Sequence, residues 1–262
     1  MRATSVCALF LTGLSVFGAS NKPDPSPAEI ENIIAKFAEK ESEFATARGN
    51  YTYRQTVSLK EYDEGGAPGG RFDLVSDIIF TPEGKRTERV VKAPAPTLRL
   101  ILMSPEDEKD IRDVLPFVLT AKDISNYYVR YLGRGNADEI SCYVFAVKPK
   151  TMETGKRYFT GQIWVDDQDL QIVKTYGRAI GLLKKGNDQQ FPKFETYREQ
   201  IDGKYWFPTY TIANSTLHFK DGQSPRIRQS VKYEDYKQFK SDVKITFGGE
   251  ADEKPKEPVK PK

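Results

Sequence analysis

A long series of short β-type runs, with no helical crossover inside it, limits this chain to an antiparallel sheet. The first run begins near residue 50, where apolar and polar residues alternate with a period of two through Tyr51, Tyr53, Val57 and Leu59. Similar runs lie at about residues 71–81, 85–91, 98–103, 117–120, 127–132, 140–148, 157–165, 170–178, 191–201, 204–219 and 226–236. Because parallel strands need long crossovers and none is present, the pattern predicts about ten antiparallel strands and no parallel unit.

The region of residues 191–219 predicts a β-hairpin around Asp202 and Gly203. An Asp-Gly pair suits a two-residue type I′ turn, because both central residues of that turn need a positive φ. In that register Glu199 faces Trp206 on one side of the pleat, and Arg198 faces Phe207 on the other. Since both faces carry large aromatic side chains, we expect each face to be covered. The register leaves open which face is interior.

Two helices are predicted outside the strand series. Ser26 can cap a helix that begins with Pro27 and continues with apolar residues at helical spacing to Phe44. Ser104 can cap a shorter helix over residues 105–114, whose first turn carries three acidic residues that suit the helix dipole. Both helices can cover the concave side of a curved sheet.

The two ends of the chain differ from the middle in composition. Residues 1–20 begin with Arg2, continue with an apolar run and end in small residues, which is the pattern of a secretory signal peptide; an N-terminal membrane anchor is the alternative. Residues 246–262 are rich in Pro, Lys and Glu and predict a disordered tail. We therefore expect one exported domain over residues 21–245, without a stable membrane span in the mature chain.

Charge and residue types argue against several functions. The net charge of +3 comes from interspersed charges, which argues against a nucleic-acid partner. Cys142 lies in an apolar run and is expected to be a buried structural thiol, and the sole histidine, His218, supports neither a common zinc site nor a catalytic triad. The carboxylates between Asp166 and Asp169 fit a turn better than a calcium loop. We expect no catalytic residues, no metal and no cofactor, and hence no enzyme.

Several segments together resemble a known family. These are the opening amphipathic helix, the run GRFDLVSDIIFTPEGKRTERV, the segment YFTGQIWVDDQDLQIVKTYG and the hairpin FPKFETYREQIDGKYWFPTYT. The chain resembles outer-membrane lipoprotein-sorting protein-like proteins, which are relatives of the LolA/LolB carriers, over roughly residues 28–240. The resemblance implies a mainly β, α+β fold: a single curved antiparallel sheet that forms an open half-barrel with helices on its concave side. It also implies a periplasmic location and an apolar cavity for acyl chains.

The function expected on this basis is binding of a lipid or an acylated lipoprotein in the cavity. The predicted lining, which is the expected ligand-binding site, consists of core-face residues of two strands and two hairpin aromatics: Phe159, Ile163, Val165, Leu170, Ile172, Trp206 and Tyr210. An equally weighted alternative is that these side chains only fill the interior. The alternative function is a sensor or assembly module that binds an envelope protein through the same fold, without lipid transfer.

Overall fold

A computed structural model describes residues 23–81, 85–182 and 189–239 of the chain. The predicted signal peptide, residues 1–20, and the predicted tail, residues 246–262, lie outside the described residues. Two α-helices are present, α1 (Pro27–Arg48) and α2 (Pro105–Asp113), together with a 3-10 turn (Ile124–Asn126). The strands are β1 (Tyr51–Tyr62), β2 (Pro68–Phe80), β3 (Arg86–Lys92), β4 (Tyr127–Ala137), β5 (Ile140–Pro149), β6 (Tyr158–Asp166), β7 (Ile172–Ile180), β8 (Lys193–Gln200), β9 (Trp206–Thr216) and β10 (Arg226–Gln238).

The ten strands form one antiparallel sheet in the order β3-β2-β1-β10-β9-β8-β7-β6-β5-β4. The last strand, β10, lies between β1 and β9 and so joins the first three strands to the rest of the sheet. The sheet does not close, because β3 and β4 are its two ends within the described residues. This confirms the predicted mainly β fold with an open antiparallel sheet and two helices.

Helix α1 lies on one face of the sheet, which we call the helix-covered face; the opposite face is the outer face. Ser26 caps the start of α1, as the sequence predicted, and it forms a reciprocal capping box with Glu29. Its buried stripe packs into the main core, where the Phe37 and Phe145 rings lie 5.4 Å apart. The helix is therefore a structural part of the core rather than a surface addition.

Two predicted β-runs, residues 98–103 and 117–120, are not strands. In residues 117–120 the apolar side chains are instead buried from a loop, because Phe117 and Leu119 belong to the main core on the helix-covered face. In residues 98–103 they are partly buried, except for Leu102, which is 89% exposed. Apolar runs too short for a helix pattern do not distinguish a strand from a buried loop. These segments connect β3 to β4 across the helix-covered face.

The predicted β8–β9 hairpin is present, but its turn and register differ from the prediction. Gly203 has a φ of +74°, whereas Asp202 is not among the residues with positive φ. The Asp202 carboxylate accepts hydrogen bonds from the N–H groups of Lys204 and Tyr205, at 2.9 and 2.8 Å, and so stabilises a longer loop. Consequently Glu199 pairs with Phe207, and a bulge precedes the pairing of Tyr197 with Tyr210.

None of the helices within the described ranges is both long and apolar enough to cross a membrane.

Candidate functional site

A cavity of about 340 Å³ lies beside α2 on the helix-covered face. Its floor comes from five strands, and its walls come from α2, from Leu115 just after it, and from the segments that precede α2, β8 and β10. The lining residues are Leu59, Ile101, Leu102, Met103, Ser104, Glu106, Asp107, Asp110, Ile111, Leu115, Ala179, Gln189, Gln190, Phe191, Pro192, Phe194, Ala213, Leu217, Phe219, Ile227 and Gln229. This volume is within the range of small-molecule sites in proteins.

The two sides of the cavity differ in polarity. The strands contribute mostly apolar side chains, such as Leu59, Phe194 and Ile227, whereas the first turns of α2 contribute Glu106, Asp107 and Asp110. The carboxylate of Asp107 caps α2 through the backbone N–H of Ser104, at 2.9 Å, and accepts a hydrogen bond from the Gln189 amide, at 3.0 Å. The arrangement suits an amphipathic ligand, with an apolar part on the sheet and a polar part against α2.

The segment that leads into the cavity wall, residues 97–101, is held by one buried carboxylate. Glu61 of β1 is 1% exposed, and it accepts hydrogen bonds from four backbone N–H groups. The donors are Gly70 at 2.8 Å, Arg99 at 2.7 Å, Leu100 at 2.9 Å and Ile101 at 3.2 Å. Burial alone would raise the pKa of Glu61, but these four donors favour the charged form and lower the pKa below its ordinary value.

Gly70 allows the same segment to approach β2 closely. A Cβ at residue 70 would lie 1.9 Å from the carbonyl oxygen of Thr97. No side chain fits there unless the segment moves away. Thus Glu61 and Gly70 together position Ile101, Leu102 and Met103 at the cavity.

Asp110 is the most unusual side chain in the lining. It is 8% exposed, its Oδ1 atom makes no hydrogen bond, and Arg157 Nε lies 3.6 Å from that oxygen. Burial raises the pKa of Asp110 to about 7, although the positive charge of Arg157 opposes the shift. The Arg157 guanidinium lies over the Phe191 ring, 4.8 Å from its centroid.

A second buried charge pair fixes α1 beside the cavity region. Glu41 of α1 is 0% exposed and Arg198 of β8 is 3% exposed. Arg198 also donates to the backbone carbonyl of Phe117, and Glu41 accepts from the backbone N–H of Ile172 at 3.3 Å. These contacts link α1, β7, β8 and the segment that follows α2.

The predicted lining residues do not line this cavity. Phe159, Ile163, Val165 and Ile172 are almost fully buried in the main core, and Leu170 packs against it. They lie in the same core cluster as Ile33, Phe37 and Ala38 of α1, so side chains occupy the interior at these positions. These residues do not line the cavity beside α2, and their part in binding a ligand stays a prediction.

Trp206 and Tyr210 lie on the outer face. Trp206 packs in a small cluster with Cys142 and Val173, and its indole N–H donates to Asp169 at 2.8 Å. Tyr210 is half-buried and pairs with Tyr197 in the ladder. The hairpin side chain that enters the helix-covered face is Phe207, which is 0% exposed and packs against Phe44 and Tyr51.

The remaining polar residues singled out in the sequence have structural contacts. Cys142 is buried, and burial raises the pKa of its thiol to about 12. His218 is exposed, with Nδ1 3.2 Å from Ser224 Oγ. Within the described ranges no group of three or more His, Cys, Asp or Glu side chains is arranged to hold a metal ion.

Comparison with protein families gives no match, and no curated protein is similar in sequence. Among solved structures, the chain is similar to a DUF1329 family protein from Desulfovibrio piger, with 12% identity, 86% of this chain and 96% of that chain covered, and a TM-score of 0.36. It is also similar to a putative outer membrane lipoprotein-sorting protein domain from Vibrio parahaemolyticus, with 12% identity, 78% and 93% covered, and a TM-score of 0.34. MucB has 12% identity, 80% and 94% covered, and a TM-score of 0.28.

These solved structures include a lipoprotein-sorting domain, which is the kind of protein that the sequence resembles. All three TM-scores lie below 0.5, so these similarities do not indicate what this chain binds.

Proposed function

We propose that the protein is an exported, periplasmic binding protein that holds the apolar chain of a lipid or of an acylated protein in the cavity beside α2. The observation that carries this proposal is the cavity itself, about 340 Å³ in volume, with an apolar floor and one polar wall. Each buried CH₂ group of a ligand contributes about 0.8 kcal/mol of transfer free energy. An alkyl chain is the ligand class that such a floor binds best.

The proposal is one of binding rather than catalysis. Of the carboxylates in the lining, Asp107 caps α2 and Asp110 is paired with Arg157 at 3.6 Å. Among the described lining residues Ser104 has no His or Cys beside it, and its hydroxyl group donates to Asp107 in the cap of α2. A site that only holds a ligand needs shape and polarity, and the described lining supplies both.

The experiment that tests this function is a calorimetric titration with the alcohols octanol, decanol and dodecanol. The dissociation constant should fall about fourfold for each added CH₂ group until the chain fills the cavity, because 0.8 kcal/mol corresponds to that factor. A protein that takes up none of the three alcohols does not have this function.

A matched pair of variants tests whether the bound alkyl chain lies in the cavity. Ala213 lines the cavity and is 3% exposed, so Ala213→Leu should fill part of the space and weaken dodecanol binding. Ala137 is also buried, at 6% exposure, but belongs to the cluster on the outer face. Ala137→Leu should leave the affinity unchanged, provided that both variants keep the circular dichroism spectrum of the native protein.

The second candidate function is binding of a partner protein, and the edge strand β3 favours it. Val90 and Val91 are 57% and 50% exposed, and β3 pairs only with β2 within the described residues. An exposed strand edge can accept a strand from another chain. An envelope protein that stays bound after delipidation and is lost in a Val90→Pro variant would support this function over lipid binding.

A further inference from the structure

Three cationic side chains stand side by side on the outer face, in three neighbouring strands. Lys60 of β1 pairs directly with Arg71 of β2 on one side and with Arg228 of β10 on the other. Directly opposite residues share a face, and the neighbour Leu59 lines the cavity on the helix-covered face, so the three cations lie on the outer face. Arg226, the first residue of β10, lies two residues before Arg228 and therefore on the same face. We call these four cations the basic cluster.

The basic cluster lacks the counter-charges that a structural role would need. Like charges directly opposite each other in a ladder destabilise a sheet. Arg71 pairs with Asp73 at 2.9 Å. Within the described ranges, the side chains of Lys60, Arg226 and Arg228 form neither an ion pair nor a hydrogen bond. Three of the four charges are thus left without a described counter-ion, and a bound anion would relieve their repulsion.

The cluster borders an open depression of about 450 Å³ at the ends of β1, β9 and β10. Two arginines line it together with side chains that carry hydrogen-bond donors: Arg226, Arg228, Tyr62, Asn214 and Thr216. None of the described lining residues is Asp or Glu. Guanidinium, hydroxyl and amide groups are donors that suit phosphate oxygens, and arginine binds phosphate with two parallel hydrogen bonds.

The spread of the cations suits an array of phosphates better than a single phosphate. Neighbouring strands lie about 4.8 Å apart, so the row from Arg71 to Arg228 is about 10 Å wide. All four side chains of the cluster are exposed, so they can reach a planar array of anions while they stay hydrated. Ile227 lines both this depression and the cavity beside α2, so a lipid surface at this place lies next to the cavity.

We propose that the basic cluster docks the protein on an anionic lipid bilayer by binding the phosphate groups of its lipids. This inference goes beyond the proposed function, because docking does not require that an alkyl chain enter the cavity. Each Lys or Arg that reaches an anionic lipid surface strengthens binding about fivefold. The binding is electrostatic and reversible, which suits a protein that has to leave the bilayer again.

The test is flotation of the protein with vesicles of phosphatidylcholine alone and with vesicles that also contain phosphatidylglycerol. Binding should be stronger to the anionic vesicles, and raising NaCl from about 0.05 to about 0.5 M should release the protein, because salt screens exposed charges. Arg226→Gln/Arg228→Gln should weaken binding about 25-fold, since two charges are removed. Other parts of the chain that contact lipid are common to all variants, so the difference measures the contribution of the cluster.

The matched control removes two charges elsewhere in the sheet. Arg54 and Arg89 both pair with Asp77, at 2.9 and 2.6 Å, so Arg54→Gln/Arg89→Gln changes the net charge equally but should keep most of the affinity. Both double variants should be checked by thermal unfolding. Removal of Arg228 takes away a like-charge repulsion, so this pair of substitutions should not lower the melting temperature.

Four results would overturn the inference. These are equal binding to the two kinds of vesicle, equal weakening in the two double variants, binding that does not respond to salt, and saturable binding of inorganic phosphate without any preference for anionic vesicles, which would assign the site to a free phosphate. The cavity-filling Ala213→Leu variant should dock like the native protein. Docking and chain binding can therefore fail separately: loss of dodecanol binding alone leaves the docking surface standing, and loss of vesicle binding alone leaves the proposed function standing.

Discussion

The guanidinium of Arg198 chelates the carboxylate of Glu41, with Nη1–Oε1 at 2.9 Å and Nη2–Oε2 at 3.2 Å, in a part of the protein that water does not reach. The pair joins the middle of α1 to β8. Because Arg198 also donates to the Phe117 carbonyl, it contacts the segment that follows α2 in the chain as well. A buried pair of this kind need not add net stability compared with apolar residues, but either charge alone is costly. It therefore determines where α1 sits on the sheet.

Removing one member of this pair should strongly destabilise the protein. Arg198→Met leaves the Glu41 carboxylate buried, with the Ile172 N–H as its remaining donor among the described contacts. We expect the free energy of unfolding, measured in urea, to fall by about 3–5 kcal/mol. The control is Arg112→Met, because the Arg112–Glu108 pair is exposed and 3.9 Å long; its loss should be below about 1 kcal/mol. Equal losses for the two variants would contradict a special role of the buried pair.

The four hydrogen bonds to Glu61 should make the cavity wall sensitive to acid. Because the pKa of Glu61 is lowered in the folded protein, its stabilising contribution is present above the ordinary pKa of about 4.3 and is lost as the pH falls through the lowered value. The protection of the Arg99, Leu100 and Ile101 amides against hydrogen exchange, relative to the intrinsic rate at each pH, should therefore fall below about pH 4.

Glu61→Gln should expose the same amides at neutral pH. The free energy of unfolding should fall by about 2 kcal/mol or more, because hydrogen bonds to a charged carboxylate are replaced by hydrogen bonds to a neutral amide. Unchanged protection of residues 99–101 in Glu61→Gln would contradict the role assigned to this carboxylate.

Asp110 should give the opposite pH dependence. Its pKa is raised to about 7, so between about pH 4 and pH 7 the folded state binds more protons than the unfolded state, and stability falls as the pH rises. The slope from this single group is at most about 1.4 kcal/mol per pH unit. Urea unfolding should show that Asp110→Asn gains stability relative to the native sequence from pH 5 to pH 7. A difference that is constant with pH would refute this assignment.

The two neighbouring aromatics of β9 should respond differently to truncation. Phe207 is 0% exposed between Phe44, Tyr51 and Tyr236, so Phe207→Ala should cost about 3–5 kcal/mol. Trp206 is half-buried on the outer face, so Trp206→Ala should cost clearly less in the same urea titration. A larger loss for Trp206→Ala would mean that the faces of the hairpin are assigned the wrong way round.

The sequence predicted the fold better than the site, and the reasons lie in particular residues. Period-two alternation and the caps at Ser26 and Ser104 are local signals, and the strands and helices they predict are present. The predicted hairpin turn was wrong because the Asp202 side chain stabilises a longer loop. The preference of an Asp-Gly pair for a two-residue turn does not take this side-chain contact into account. The bulge in β9 then shifted the pairing by one residue.

The cavity could not be located from the sequence, because it is formed by five strands, by α2, and by loop segments on both sides of α2, before β8 and before β10, which meet only in the fold. One signal was present nevertheless. Glu61 occupies a position of β1 whose alternate neighbours are buried, and Glu41 lies in the apolar stripe of α1. A charged residue on a buried face requires partners, and both of these residues have them on segments that frame the cavity region.

A crystal structure of the protein with dodecanol bound would show directly whether the cavity beside α2 holds an alkyl chain. We expect continuous electron density for the alkyl chain between Met103 of the wall and Phe194 and Ile227 of the floor, with the hydroxyl group directed toward α2. An alkyl chain bound on the outer face near Trp206, or an empty cavity at saturating dodecanol, would contradict it.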